Sequence, residues 1–233
     1  MPIGLLAPLT LASAALAIAG APWALDVAGL QVVFKPLTTV LVIAHAWPRG
    51  RRQPVVRRWV LGGLVLSLIG DIALLWPRSG FLAGLVAFLL AHLAYIAAFT
   101  REHRLLARPV AVVVYLLVAG TVLALLWPSV PPGLRVPVAC YVLALTAMSA
   151  QSAVVGLAAQ GGEARRGRAL MLGGALFMAS DALLATNRFA LPLPALSLWI
   201  LATYWAAQWC IASWLAPAAE PALAADAPGR PAA

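Results

Sequence analysis

A chain of 233 residues that is 64% hydrophobic and only 10% charged, with mean hydropathy +0.96, is not a soluble domain, since those average roughly 45–50% apolar and about 25% charged. A helical membrane span takes about 20 residues, so eight spans with short loops use nearly all of it and leave no room for a sizeable soluble domain. The net charge of +9 does not indicate a nucleic-acid partner, because the arginines gather in three loops, a topogenic pattern and not a binding stripe.

Residues 3–20 form the first apolar run. Ala19-Gly20-Ala21 resembles a small-residue cleavage site, but no Lys or Arg precedes Lys35, so this run is expected to remain as an uncleaved helix. Further spans are predicted at 28–46, which contains Lys35-Pro36-Leu37-Thr38-Thr39, at 58–76, and at 81–99, which carries His92 and Tyr95. Four more follow at 109–127, 135–158, 169–186 and 195–215, the last rich in Trp and Tyr. Residues 216–233 are Ala/Pro-rich without periodicity and read as a disordered cytoplasmic tail. The expected fold is all-α, a polytopic bundle of eight transmembrane helices over 1–215. Cys140 and Cys210 lie inside apolar runs and read as small packing residues.

Arginine counting sets the orientation. The loops after spans two, four and six hold eleven arginines, whereas those after spans three, five and seven contribute one each, Arg78, Arg135 and Arg188. The positive-inside rule then places both termini in the cytoplasm, as expected for the inner membrane of a bacterium.

One phrase occurs twice. Ser67-Leu-Ile-Gly-Asp71-Ile-Ala-Leu-Leu-Trp-Pro-Arg78 buries a carboxylate in an apolar run with an arginine seven residues on, and Ser180-Asp181-Ala-Leu-Leu-Ala-Thr-Asn187-Arg188 repeats this 110 positions later. The echo maps span three onto span seven, which suggests two parallel four-helix repeats. An ionised Asp at the centre of a lipid-facing helix costs about 2.5–3.5 kcal/mol, so an intramembrane Asp usually faces protein and usually serves a function.

Depth counted from the predicted span ends puts Asp71 and Asp181 each five residues below the outer face, and Lys35 about 10 Å below it at about 1.5 Å per residue. One lysine neutralises one carboxylate; the other, beside a like charge in low dielectric, is expected to hold its proton. A pair of carboxyls with unequal proton occupancy sharing a dry cleft is a general acid and base arrangement. Arg78 and Arg188 point back toward that face at the outer rim, with Asn187 as a possible headgroup contact. Pro36 frees the carbonyl of Val32, an acceptor either for a bound hydroxyl or, the favoured reading, for Thr38, Thr39 or water. His45, His92 and His103 fall at different depths, which argues against a zinc set. Tyr95, Tyr204 and Gln208 read first as packing or interfacial residues.

Taken together, Lys35-Pro-Leu-Thr-Thr39, Gly70-Asp-Ile-Ala-Leu-Leu75, the run from Phe81 to Tyr95 with His92, Ser180-Asp181 and Tyr204-x-x-x-Gln208-Trp209 resemble the YhhN-like lysoplasmalogenase family over almost the whole chain except the tail. The resemblance implies an eight-helix membrane enzyme that hydrolyses the vinyl-ether bond of lysoplasmalogens to a fatty aldehyde and a glycerophospho-alcohol. Its motif positions carry over to Lys35, Asp71, His92, Tyr95, Asp181 and Gln208.

A vinyl ether hydrolyses through protonation at carbon, an oxocarbenium ion and a hemiacetal, which needs an acid and a carboxylate but no cofactor or metal. Asp71 and Asp181 are then expected to divide the acid and base roles, the one farther from Lys35 carrying the proton. A lysophospholipid would lay its chain between helices among the membrane lipids, with its head near Arg78, Asn187 and Arg188 and its body near His92, Tyr95, Tyr204 and Gln208. The alternative reading of the same intramembrane Asp/Lys set is a proton-coupled transporter or lipid translocator.

Overall fold

The computed structural model describes residues 3–76, 78–192 and 194–217, so the tail from 218 onward lies outside the described residues. Eight α-helices follow one another: α1 Leu6–Ala19, α2 Ala28–Ala46, α3 Pro54–Ala73, α4 Phe81–Phe99, α5 Pro109–Leu126, α6 Arg135–Ala158, α7 Ala164–Phe189 and α8 Leu196–Trp214. There is no β-strand among the described residues.

Five helical stretches are long and apolar enough to cross a membrane: Ala28–Ala46, Phe81–Phe99, Pro109–Ser129, Pro132–Ala158 and Gly161–Phe189. The protein is an integral membrane protein. The eight-span expectation is met at that coarser level, because α1 has only 14 residues, α3 carries Arg57, Arg58 and Asp71, and α8 exchanges aliphatic side chains for Trp, Tyr and Gln.

Two of the predicted helices move at both ends. α3 starts at Pro54, not at 58, and ends at Ala73, not at 76. Proline suits the first helical position because the amide it lacks would have no partner there. Arg57 in that first turn also folds back, donating to the Trp47 carbonyl at 3.1 and 2.6 Å. α7 runs from Ala164 to Phe189, beyond the predicted 169–186, because the polar residues at both ends of the apolar run stay helical.

Six helices close a ring: α2 packs on α3, α3 on α4, α4 on α6, α6 on α7, α7 on α8, and α8 on α2. α1 lies outside against α2 and α8, and α5 lies outside against α6 with a light touch on α7. The ring is filled by Leu64, Tyr95, Phe99, Met148, Leu170, Phe177 and Ile211, all fully buried. Without a hydrophobic driving force between helices in lipid, association depends on close packing over small residues. At Gly70 an added Cβ would stand 2.5 Å from the Phe88 ring, and at Gly63 2.3 Å from that of Tyr95. These glycines let α4 press its aromatic side chains onto α3, beside Asp71.

At the end bearing the arginine-rich loops, Gly50 N–H donates to the Ala216 carbonyl at 2.8 Å and Arg49 to that of Leu215 at 3.3 Å. The end of α8 is thus tied to the loop between α2 and α3.

Candidate active site

Asp71 sits in the last turn of α3 and is 2% exposed. Its Oδ2 accepts hydrogen bonds from Thr39 Oγ1 at 2.6 Å and from the Tyr204 hydroxyl at 2.8 Å. The Thr39 hydroxyl also accepts from Trp205 Nε1 at 3.2 Å. The Tyr204 oxygen accepts from Gln208 Nε2 at 3.2 Å, and Gln208 Oε1 accepts from the Tyr95 hydroxyl at 2.7 Å. A continuous polar network thus joins α2, α3, α4 and α8, and all its members are buried. Tyr95, Tyr204 and Gln208 are therefore more than the packing or interfacial residues expected of them; a buried phenol needs an acceptor, and each finds one here.

Lys35 lies one turn before Thr39 on α2, half-buried. It is within electrostatic reach of Asp71, but among the described residues it has no ion pair within 4.0 Å. Of the hydroxyls expected beside Pro36, Thr38 Oγ1 donates to the Phe34 carbonyl at 2.7 Å and not to that of Val32, and Ser13 Oγ donates to the same Phe34 carbonyl at 3.2 Å. Thr39 is committed to Asp71 and not to Val32.

Asp181 stands on α7, half-buried, and its Oδ2 accepts a hydrogen bond from the Tyr141 hydroxyl of α6 at 2.5 Å. It lines a cavity bounded by α4, α5, α6 and α7, with Phe81, Phe88, Val122, Leu126, Leu145 and Met178 among its walls. Among the described residues the only polar side chains lining it are Asp181 and Tyr141. Asp71 is not part of this lining, so the single shared cleft expected for the two carboxyls is not formed. The reason is aromatic: Phe88 lines the cavity, seats on Gly70 and meets Tyr204 edge-on at 5.7 Å.

Between the two carboxyls runs a line of rings. Tyr204 meets Phe177 at 5.6 Å, Phe177 meets His92 at 4.8 Å, and His92 meets Tyr141 at 5.1 Å. His92 is fully buried, and neither ring nitrogen has a hydrogen-bond partner. His45 instead stacks on Trp209 at 3.9 Å and reaches Ser213 Oγ at 3.1 Å. Among the described residues no three His, Cys, Asp or Glu side chains gather as a metal set.

Counted from the observed helix ends, the two aspartates are not equivalent. Asp71 is two residues from the end of α3, whereas Asp181 is eight residues from the end of α7. Arg78 therefore lies beyond its helix and is exposed, not two turns above Asp71 on one face. Arg188 does lie on the helix of Asp181, exposed, with its guanidinium carbon 4.8 Å from the centre of the Phe81 ring. Asn187 neighbours it, also exposed.

A family model for the YhhN family matches residues 30–215, which takes in Lys35, Asp71, Asp181 and every helix from α3 to α8. The chain belongs to the YhhN family. Among YhhN relatives it is 40% identical over 147 residues to the human protein named Lysoplasmalogenase TMEM86B, covering 63% of this chain and 58% of that protein. It is 35% identical over 188 residues to a Mycobacterium tuberculosis protein named Lysoplasmalogenase, covering 77% of this chain and 67% of that one. It is 34% identical over 187 residues to human Lysoplasmalogenase TMEM86A, covering 78% and 75%. This YhhN chain thus spans less than two thirds of the length of TMEM86B. No solved structure matches it.

Sequence reasoning missed Tyr141 altogether, gave Trp205 no role, and offered Thr39 to the Val32 carbonyl when its partner is Asp71. For Tyr141 the usable signal was a lone phenol in the apolar run of α6, which must find an acceptor when buried.

Proposed function

We propose that this protein hydrolyses the vinyl-ether bond of lysoplasmalogen-type lysophospholipids, releasing a fatty aldehyde and a glycerophospho-alcohol. The observation that carries the reading is the cavity of α4 to α7, apolar except for a carboxyl and the phenol bonded to it. A hydrocarbon chain fits such walls, and the reaction needs an acid placed against the chain's first carbons. The names of the relatives support the same chemistry.

Asp181 is assigned the proton donor because it faces the cavity and because Lys35 lies near Asp71. It protonates the vinyl carbon remote from oxygen, leaving an oxocarbenium ion. Water adds to the carbon bearing oxygen and gives its proton to the Asp181 carboxylate, and the hemiacetal collapses to aldehyde and alcohol. Asp71 lies outside this cavity, held by its Thr39 and Tyr204 hydrogen bonds, and its role is to offset the build-up of positive charge at a distance, across the aromatic line. Preorganised charge of this kind acts strongly where water is excluded.

The same reading places eight helices in a bacterial cell membrane with both termini cytoplasmic, built as two four-helix halves. The packing pattern supports the halves: α2 on α3 matches α6 on α7, α3 on α4 matches α7 on α8, and α8 on α2 matches α4 on α6.

Purified protein in detergent, supplied with a lysoplasmenyl lipid, should release aldehyde, whereas Asp71→Asn and Asp181→Asn should each abolish release while remaining folded. A transporter makes no product in this assay. Full turnover by either variant rejects the assignment of that carboxyl.

A further inference from the structure

Arg188 sits seven residues after Asp181 on an uninterrupted helix. Positions i and i+7 share a helix face, and seven residues rise about 10 Å. The guanidinium does not float above that face. It lies 4.8 Å from the Phe81 ring centre, and Phe81 meets Phe189 edge-on at 6.0 Å. Both phenylalanines line the cavity, so the cation is pinned at the end of the cavity that these two rings wall, which we take as its mouth. A guanidinium stacked on an aromatic face keeps its edge donors free for bidentate contact with a phosphate. Among the described residues Arg188 forms no ion pair within 4.0 Å.

The rise between the two backbone positions is comparable to a chemical length. In a 1-alkenyl glycerophospholipid the phosphorus stands six bonds from the vinyl-ether carbon, about 7 Å at ordinary bond lengths. A charge-assisted contact to a phosphate oxygen adds about 2.8 Å. The geometry points to α7 as a ruler: Arg188, held in place by Phe81, binds the substrate's phosphate so that the vinyl ether comes to rest against Asp181. The ruler exists on α7 alone, because α3 stops at Ala73 and leaves Arg78 off the face of Asp71.

This inference rests on the proposed hydrolysis and adds to it the basis of substrate selection. The selected class is a single-chain ether lipid whose phosphate lies one glycerol backbone from the vinyl ether. Arg188 binds that phosphate, and Phe81 is a positioning residue that acts through Arg188.

The test compares two substrates, a lysoplasmenyl phospholipid and the 1-alkenylglycerol that lacks the phosphate. In wild-type protein the phospholipid should be strongly preferred in kcat/KM. Arg188→Gln should lower that preference about tenfold to a hundredfold, the value of a charge-assisted hydrogen bond, and should do so through KM. Phe81→Leu keeps the mouth apolar but removes the ring face, and should lower the preference about threefold. In the Arg188→Gln background it should lower it no further. Arg188 is exposed, so its variants should fold. An unchanged preference in Arg188→Gln, or a Phe81→Leu effect of equal size in both backgrounds, overturns the ruler while leaving the hydrolase reading intact. Wild-type protein that releases aldehyde from neither lipid overturns both.

Discussion

The Tyr141 hydroxyl donates to Asp181 Oδ2, and the same phenol ring packs edge-on against His92, 5.1 Å between centroids. One residue therefore fixes the cavity-facing carboxyl and closes the aromatic line that leads from it toward Asp71. Tyr141→Phe keeps the ring and removes the hydroxyl. Turnover should fall about tenfold to a hundredfold, the usual worth of a hydrogen bond to a charged group, with the protein still monodisperse and folded. Steady-state aldehyde release measures it, and a wild-type kcat would show that the hydroxyl is dispensable.

Tyr204→Phe acts at the other carboxyl. It deletes a donor to Asp71 and leaves Gln208 Nε2 without its acceptor, both in fully enclosed surroundings. Leaving buried polar groups unsatisfied costs about 1–3 kcal/mol. A reversible unfolding titration should record a loss of that size, and unchanged stability would mean the network is not held together by this phenol.

Ala119 is buried on α5 and lines the cavity. Ala119→Phe should fill part of the space that the substrate's hydrocarbon chain takes in the proposed reaction. Each methylene displaced into water forfeits about 0.8 kcal/mol, or about fourfold in affinity. Across a series of substrates of increasing chain length, the variant should lose most against the longest chains. Equal losses at every length would place the chain elsewhere.

Topology is open to direct labelling. With the native cysteines removed, a single cysteine at Gln160 should react with a membrane-impermeant thiol reagent only after the membrane is opened, and one at Ser79 should react in intact cells. The reverse pattern would invert the orientation drawn from the arginine loops.

The sequence made the helices and the two carboxyls plain, because long apolar runs and intramembrane aspartates carry strong signals. α2 and α4 were read at their observed limits, 28–46 and 81–99. α3 was misplaced because hydropathy tracks apolar content, and the helix enters through Pro54 and two arginines. At the other end α3 stops three residues before the predicted 76 and α7 runs three beyond the predicted 186, and counting from the predicted ends made Asp71 and Asp181, and with them Arg78 and Arg188, look equivalent. What separates the carboxyls is the seating of Phe88 on Gly70, a contact between residues of two different helices that no periodicity announces. The partners of the aspartates were illegible for the same reason: Thr39, Tyr204 and Tyr141 come from α2, α8 and α6, and only packing brings them to α3 and α7.

The position of α5 has one more implication. It stands outside the six-helix ring, mostly exposed, and supplies one wall of the cavity. A chamber walled by a peripheral helix borders the oily middle of the bilayer sideways, not the water above it. Under the proposed hydrolysis, a long-chain aldehyde released there would slip directly among neighbouring acyl tails, and only the phosphorylated alcohol would have to leave past Arg188.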